Sequence, residues 1–360
     1  MGECRLCHKK GLFVFTNADG LCSKCAKDMQ AAVLSDKEIE ELDRQARARS
    51  EAFAKVHKSA LKGFSAVDSL RKIQPGESGP LSLEEILFLW YLDGTEASGE
   101  NIAGYWTHDY HIDYGSVTKK FFSYGYLEFA DTTIKLANQK VPELKKLLSE
   151  NGLPVSGKKD ILIQRIIENI PAEKTDQAFP RDSFALTPSG KELVAANDHL
   201  IYVHRHRAHF GISLETADAI KKAHPKYNCY DIARAALEKD GRKCHRAKDW
   251  GLWRNTLYNR SVVRQEENNI SAELELLLQV SYLDARGYGN GNTLEPRLAM
   301  LAPAIVNRIR AICDGRGITR DELYQQFAVA TDKLDIRDKA GEKEAFASLL
   351  AEMEPSESVN

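Results

Sequence analysis

Apolar residues recur along most of this chain at the three-to-four-residue spacing of an amphipathic helix, and only in short runs with the alternation of a strand. Ser35-x-x-Glu38 reads as a capping box ahead of a polar helix to about residue 61, whose apolar stripe thins to Ile39, Leu42, Ala46 and Phe53. Residues 74–80, QPGESGP, read as a linker. Helices are predicted over 83–92, 99–105 and 114–123, then a strand at 126–129. A second strand at 183–186 is placed to pair with the first, and a helix opens at Thr187-Pro188. Beyond Phe210 the pattern is helical almost throughout, over 214–223, 230–239, 253–264, 270–283, 296–313, 320–334 and 342–353. The turn at 284–292, DARGYGNGN, stands out because its glycines permit positive φ.

Between the two strands lies a pair of short helices. Pro142 suits a first turn, Val141, Leu144, Leu147 and Leu148 share a face, and Gly152 ends the helix. Leu153-Pro154-Val155 makes an extended connection. Ser156 is expected to cap a second helix, which carries Ile161, Leu162, Ile166 and Ile167 inward and stops before Pro171.

Composition changes this picture in one respect. At 360 residues, with 43% hydrophobic and 28% charged positions, the chain is a globular protein of more than one domain. No apolar run approaches the ~20 residues of a membrane span, and MGECRLCHKK lacks the layout of a secretory signal, so a cytoplasmic location is expected. The formal net charge of -2 excludes a uniformly basic coat, so any nucleic-acid surface must be a local patch.

The helix pair is such a patch. From 138 to 171, six Lys and Arg residues face four acids, Glu143, Glu150, Asp160 and Glu168. Gly157-Lys158-Lys159 falls where the second helix exposes its free N–H groups, a natural anion site. Arg165, with Lys140, Lys145 and Lys146 on the first helix, extends the patch. Gly152-x4-Gly157-Lys158 approaches a nucleotide-binding loop, but Lys159 replaces the Ser or Thr that holds Mg²⁺ and the loop follows a helix. Nucleotide binding is therefore not expected. A purely structural helical hairpin is the alternative reading.

The stretch resembles the SAP domain through Val141, Glu143-Leu144-Lys145, Leu148, Gly152-Leu153, Ser156-Gly157-Lys158-Lys159, Leu162 and Arg165. The resemblance covers about a tenth of the chain. It implies a duplex-DNA-binding module of weak sequence preference, with Gly157, Lys158, Lys159 and Arg165 as leading contacts and Lys140, Lys145 and Ser156 beside them.

At the N-terminus, Cys4-x2-Cys7, fourteen residues, then Cys22-x2-Cys25 is a zinc spacing, since two CxxC turns close a tetrahedral four-sulfur site. Four thiolates leave no open position for water, so the zinc is structural and not catalytic. The alternatives are a redox pair or chance. The segment resembles small bacterial four-cysteine zinc ribbons.

Leu-Thr-x-x-Gly-Lys-x-Leu after a strand resembles the close of a winged-helix domain, with the helix pair inserted at the wing. Its candidate recognition helix carries Tyr114, Ser116, Thr118, Lys119 and Lys120 toward DNA, and contacts to protein alone are the alternative. His204, His206 and His209 do not share one helical face, so they read as a basic helix end rather than a metal site.

The expected fold is mainly α and multidomain: a zinc ribbon (1–32), a helical spacer and linker (33–80), a winged-helix-like domain (81–136 with 181–209), a SAP-like helix–turn–helix module (137–172) and a C-terminal helical bundle (210–354). The whole resembles bacterial and prophage proteins with a SAP domain. The expected function is a non-enzymatic double-stranded-DNA-binding adaptor, nucleoid-associated, recruiting a protein partner through the helical domain. The alternative is an assembly protein. A nuclease is disfavoured because no paired-carboxylate or HNH-like motif is visible.

Overall fold

The computed structural model describes residues 2–4, 6, 7, 9–11, 16, 20–26, 41, 44, 67–99, 102–288, 299–336 and 339–354. The expected helix at 35–61, apart from residues 41 and 44, and the glycines at 289 and 291 lie outside the described residues. The chain divides into two compact units, Met1–Glu40 with Tyr202–Asn360, and Glu41–Ile201. Helices dominate, and the described strands form two two-stranded antiparallel sheets. The first pairs β1 (Gly2–Glu3) with β2 (Lys10–Gly11) beside the cysteines.

The Glu41–Ile201 unit opens with α1 (Val67–Leu70) and α2 (Leu83–Leu92). Ser82 Oγ accepts from Glu85 N, while the Glu85 carboxylate accepts from Ser82 N at 2.8 Å, closing a reciprocal cap on α2. A short α3 (Tyr105–His108) and α4 (Tyr114–Ser123), capped by Asp113 on Ser116 N, complete the helical layer. Phe88, Trp106 and Phe121 are fully buried between them, with the Phe88 and Trp106 rings 5.0 Å apart. The helix expected at 99–105 forms instead at 105–108. Gly99 is held at φ +72, and a β-carbon there would lie 2.6 Å from the Tyr114 ring, so it makes a turn beneath that ring.

β3 (Leu127–Phe129) then pairs antiparallel with β4 (Phe184–Leu186), Glu128 opposite Ala185, and an isolated bridge between Glu96 and Ser183 widens the sheet. Everything from 131 to 182 is thus an insertion between two paired strands, closed at its base by Ala130 N donating to Ser183 O at 2.8 Å. It contains α5 (Thr132–Asn138), α6 (Val141–Glu150), α7 (Lys159–Asn169) and α8 (Ala172–Ala178). After β4, Thr187 caps α9 (Pro188–Ala196) by accepting from Gly190 N. A β-carbon at Gly190 would lie 2.2 Å from Tyr126 O, so only glycine lets α9 approach the strand edge. That explains the Thr-x-x-Gly spacing.

The other unit's helical part comprises α10 (Asp198–Arg205), which starts in the preceding unit, α11 (Arg207–Phe210), α12 (Leu214–Ala223), α13 (Cys229–Arg246), α14 (Trp250–Glu266), α15 (Ile270–Ala285), α16 (Pro303–Arg316), α17 (Arg320–Thr331) and α18 (Lys339–Met353). α15 is central: Leu277, Leu278, Val280, Tyr282 and Leu283 are fully buried. Its buried carboxylates are met by neighbouring guanidinium groups, Glu273 by Arg308 and Asp284 by Arg254, each at 2.7 Å. α13 runs to Arg246 rather than stopping near 239. Gly241, which in sequence weakens a helix, lies where a β-carbon would meet Thr256 Oγ1 of α14 at 2.8 Å. Close helix packing is what keeps it helical.

Candidate nucleic-acid interface

The insertion has its own core. Leu136, Leu144, Leu147, Leu148, Leu162, Ile163, Ile166 and Ile170 form one buried cluster, with Val141 and Leu153 packed on it. Three helices, not two, build it, because α5 contributes Leu136, and Phe179 at the end of α8 packs on it. Ile161 and Ile167, expected inside, are 48% and 47% exposed. With α7 beginning at Lys159, helical spacing turns 162, 163, 166 and 170 inward and leaves these two outside.

α6 starts at Lys140, whose N–H is accepted by Glu143 Oε2 at 2.8 Å. It ends with Gly152 at φ +68, where Gly152 N donates to Ser149 O and Leu153 N to Leu148 O. These two bonds form a Schellman termination that seats Leu153 on the core. The chain then runs extended to Gly157 at φ +129, a conformation open essentially to glycine alone; a β-carbon there would lie 3.2 Å from Ile161 Cγ2.

Ser156 does not cap α7. The turn at Gly157 moves the cap to Lys158, which has no acceptor in its side chain, and among the described residues no side chain accepts from the first N–H groups of α7. Ser156 is exposed and contributes its carbonyl instead. Arg165 Nη1 donates to Ser156 O at 3.0 Å and to Pro154 O at 2.5 Å, stapling the extended segment to α7. Lys159 Nζ donates to Ala137 O at 2.5 Å, at the end of α5. The Lys158 side chain is exposed, and its ammonium has no hydrogen bond or ion pair among the described residues. The three cations grouped by sequence therefore divide: one points to solvent, and two hold the backbone around it. None of these three bonds is readable from spacing, because all the acceptors are main-chain carbonyls brought close by the fold. Lys140, Lys145 and Lys146 are exposed on or beside α6, with Lys146 near Glu150 at 3.9 Å.

On α4 the structure narrows the expected surface. Thr118 is fully buried with its hydroxyl lacking a partner among the described residues, Tyr114 donates inward to Ala97 O at 3.0 Å, and Lys120 is bound to the Glu85 carboxylate at 2.8 and 3.0 Å. Ser116 and Lys119 remain exposed. The three histidines disperse. His204 is buried, His206 Nε2 lies 2.9 Å from Glu266 Oε1, and His209 is exposed.

The cysteine quartet converges. The sulfurs of Cys4, Cys7, Cys22 and Cys25 all lie within 4.8 Å of one another, and Cys7 and Cys22 are 3.8 Å apart. A tetrahedron with metal–sulfur arms of about 2.3 Å has edges of about 3.8 Å, so the quartet fits zinc. Burial pushes the Cys4 thiol up, but hydrogen bonds from the backbone of Cys22, Cys7 and Leu6 outweigh it and hold the thiol at about 6, nearer the thiolate a metal requires. Among the described residues this is the one His, Cys or carboxylate cluster with metal-binding geometry.

No helix among the described residues is long and apolar enough to cross a membrane. Neither the curated proteins nor the solved structures provide a match to the chain. The family model of the SAP domain matches residues 135–171, which begins within α5 and ends after α7: the chain carries a SAP domain, a module that is generally DNA-binding and non-catalytic.

Proposed function

We propose that the chain is a non-enzymatic adaptor that holds double-stranded DNA with little sequence preference through its SAP domain. The observation that carries the reading is the tip of α7, where free N–H groups and the exposed Lys158 ammonium stand together within the matched segment. A backbone phosphate fits both the helix N-terminus and the lysine. Arg165 and Lys159 hold the tip in place through Pro154, Ser156 and Ala137 carbonyls, while Lys140 and Lys145 extend the contact over neighbouring phosphates. Phosphate contacts carry no sequence information, hence the low specificity.

The residues flanking the 131–182 insertion within the Glu41–Ile201 unit serve as a winged-helix-like scaffold, with the SAP module inserted at its wing. With only Ser116 and Lys119 of its expected contacts outward, α4 gives DNA little beyond that insertion. The four cysteines hold a structural zinc, which ties the 1–32 segment together, and the helical region 210–354 receives a protein partner. Anisotropy titrations of the full chain on two unrelated duplexes test this reading. Affinities within a few-fold of each other, with supercoiled plasmid left intact in Mg²⁺, are expected. Binding to neither duplex, or chelator-sensitive cleavage of the plasmid, overturns it.

An assembly protein is the second reading, favoured by the engagement of Lys120, Lys159 and Arg165 within the chain. Light scattering that finds a homo-oligomer indifferent to added DNA supports it.

A further inference from the structure

An apolar side chain standing alone on a surface needs no explanation. Val155 and Ile161 do not stand alone: they are 41% and 48% exposed and flank the same residue, Gly157. A β-carbon at Gly157 would lie 3.2 Å from Ile161 Cγ2, so the isoleucine lies against the main chain of the turn. Arg165, one turn further along the same face of α7, donates to Pro154 O and Ser156 O, the carbonyls on either side of Val155. The valine is therefore held on a fixed stretch of backbone beside the helix tip.

The charges around this pair are one-sided. Lys158 is exposed one turn before Ile161, its ammonium unpaired among the described residues. Asp160, the acid of the first turn, falls on the opposite side of the helix from Lys158 by helical spacing. At the position of Ile161, third into the helix, α2 and α6 carry Glu85 and Glu143, each accepting from the N–H of its own cap. α7 thus presents branched carbon where those helices present a carboxylate. Its tip joins an unpaired cation and free N–H groups to an apolar patch.

Resting on the SAP reading, we infer that Val155 and Ile161 pack against the deoxyribose carbons of the strand whose phosphate meets Lys158. A nucleic-acid backbone alternates anionic phosphates with sugars whose edges are C–H, and a cation beside apolar carbon repeats that alternation. Both side chains are β-branched and stiff at χ1, so little rotamer freedom is lost on contact. Apolar contact removes water from carbon on both partners and is indifferent to counterions, whereas the lysine acts through their release. The two parts of the tip therefore separate by their response to salt. Sugar contact adds affinity without reading bases.

The test is fluorescence anisotropy of the full chain on one labelled duplex across a salt series. Ile161→Ala is expected to weaken binding about fivefold and Val155→Ala about threefold at every salt concentration, with the slope of log K against log salt as in wild type. Val155 lies outside α7, so its variant tests the contact independently of any loosening of the helix start. Ile167→Ala is the control. That residue is 47% exposed on the same helix, about 9 Å further along the axis and about 120° round it from Ile161, and its variant is expected to bind as wild type. Wild-type affinity in the Val155 or Ile161 variant overturns the inference, as does an equal loss in Ile167→Ala. A flattened salt slope overturns it too, since the pair would then act only by placing Lys158. Those three results leave the SAP reading standing, because the wild-type chain still binds. A wild-type chain that binds no duplex overturns that reading, and this inference with it.

Discussion

Replacing Lys158 by alanine removes an ammonium that stands exposed at the start of α7, whereas replacing Lys159 removes one already donating to the Ala137 carbonyl. Adjacent in sequence, they are predicted to behave differently. Each neutralised phosphate contributes about -0.9 to the slope of log K against log salt, worth about eightfold in affinity at 0.1 M salt. If about four phosphates are contacted, Lys158→Ala lowers the magnitude of the slope from about 3.6 to about 2.7 and leaves unfolding within about 0.5 kcal/mol of wild type. Lys159→Ala changes the slope less but loses a bond between α7 and α5, costing about 0.5–1.5 kcal/mol. Fluorescence anisotropy on a labelled duplex across a salt series, with urea unfolding alongside, reads both quantities. A wild-type slope for Lys158→Ala refutes the assignment. So does a larger binding defect at Lys159 with unchanged stability.

Gly157→Ala forces a side chain into φ +129 against Ile161 and should destabilise the Glu41–Ile201 unit by about 1–3 kcal/mol, read as a lower urea midpoint. Thr118→Val removes a buried hydroxyl with no partner among the described residues, and should raise that midpoint by the equivalent of up to about 1 kcal/mol. Cys22→Ser should reduce bound zinc, measured by plasma mass spectrometry, from about one per chain to none. Burial, with Arg207 and Arg205 nearby, lowers the His204 imidazole to about 4. The unfolded chain then binds more protons below its ordinary value of 6.5, so stability falls as pH drops from about 6.5 to about 4; His204→Gln should flatten that part of the curve.

The parts of the fold most legible in the sequence are those where one local rule decides. Pro142 and Gly152 mark the ends of α6, and the structure places them at its first turn and at its left-handed termination. The pairing of 127–129 with 184–186 was readable across some fifty intervening residues, because apolar runs bounded by turn residues left few other partners. α5 is not legible in the sequence: Thr132-Thr133-Ile134 favours a strand locally, and it is packing through Leu136 and the Asp131 cap that makes it helical. Thr118 reads as outward because its type is polar, yet it lies on the same face as Phe121 and Phe122, and the tertiary core overrides the residue's preference. At the tip, the residue types and the helix start could be read, but not the roles of Arg165 and Lys159. Those depend on where the carbonyls of 137, 154 and 156 arrive in space.

The most direct measurement is the affinity of the intact chain for a random-sequence duplex at 50 and 200 mM salt. About four phosphate contacts predict a dissociation constant that rises roughly 150-fold between the two conditions. A duplex that remains unbound at 50 mM, or an affinity the same at both salt concentrations, contradicts a grip on the phosphate backbone.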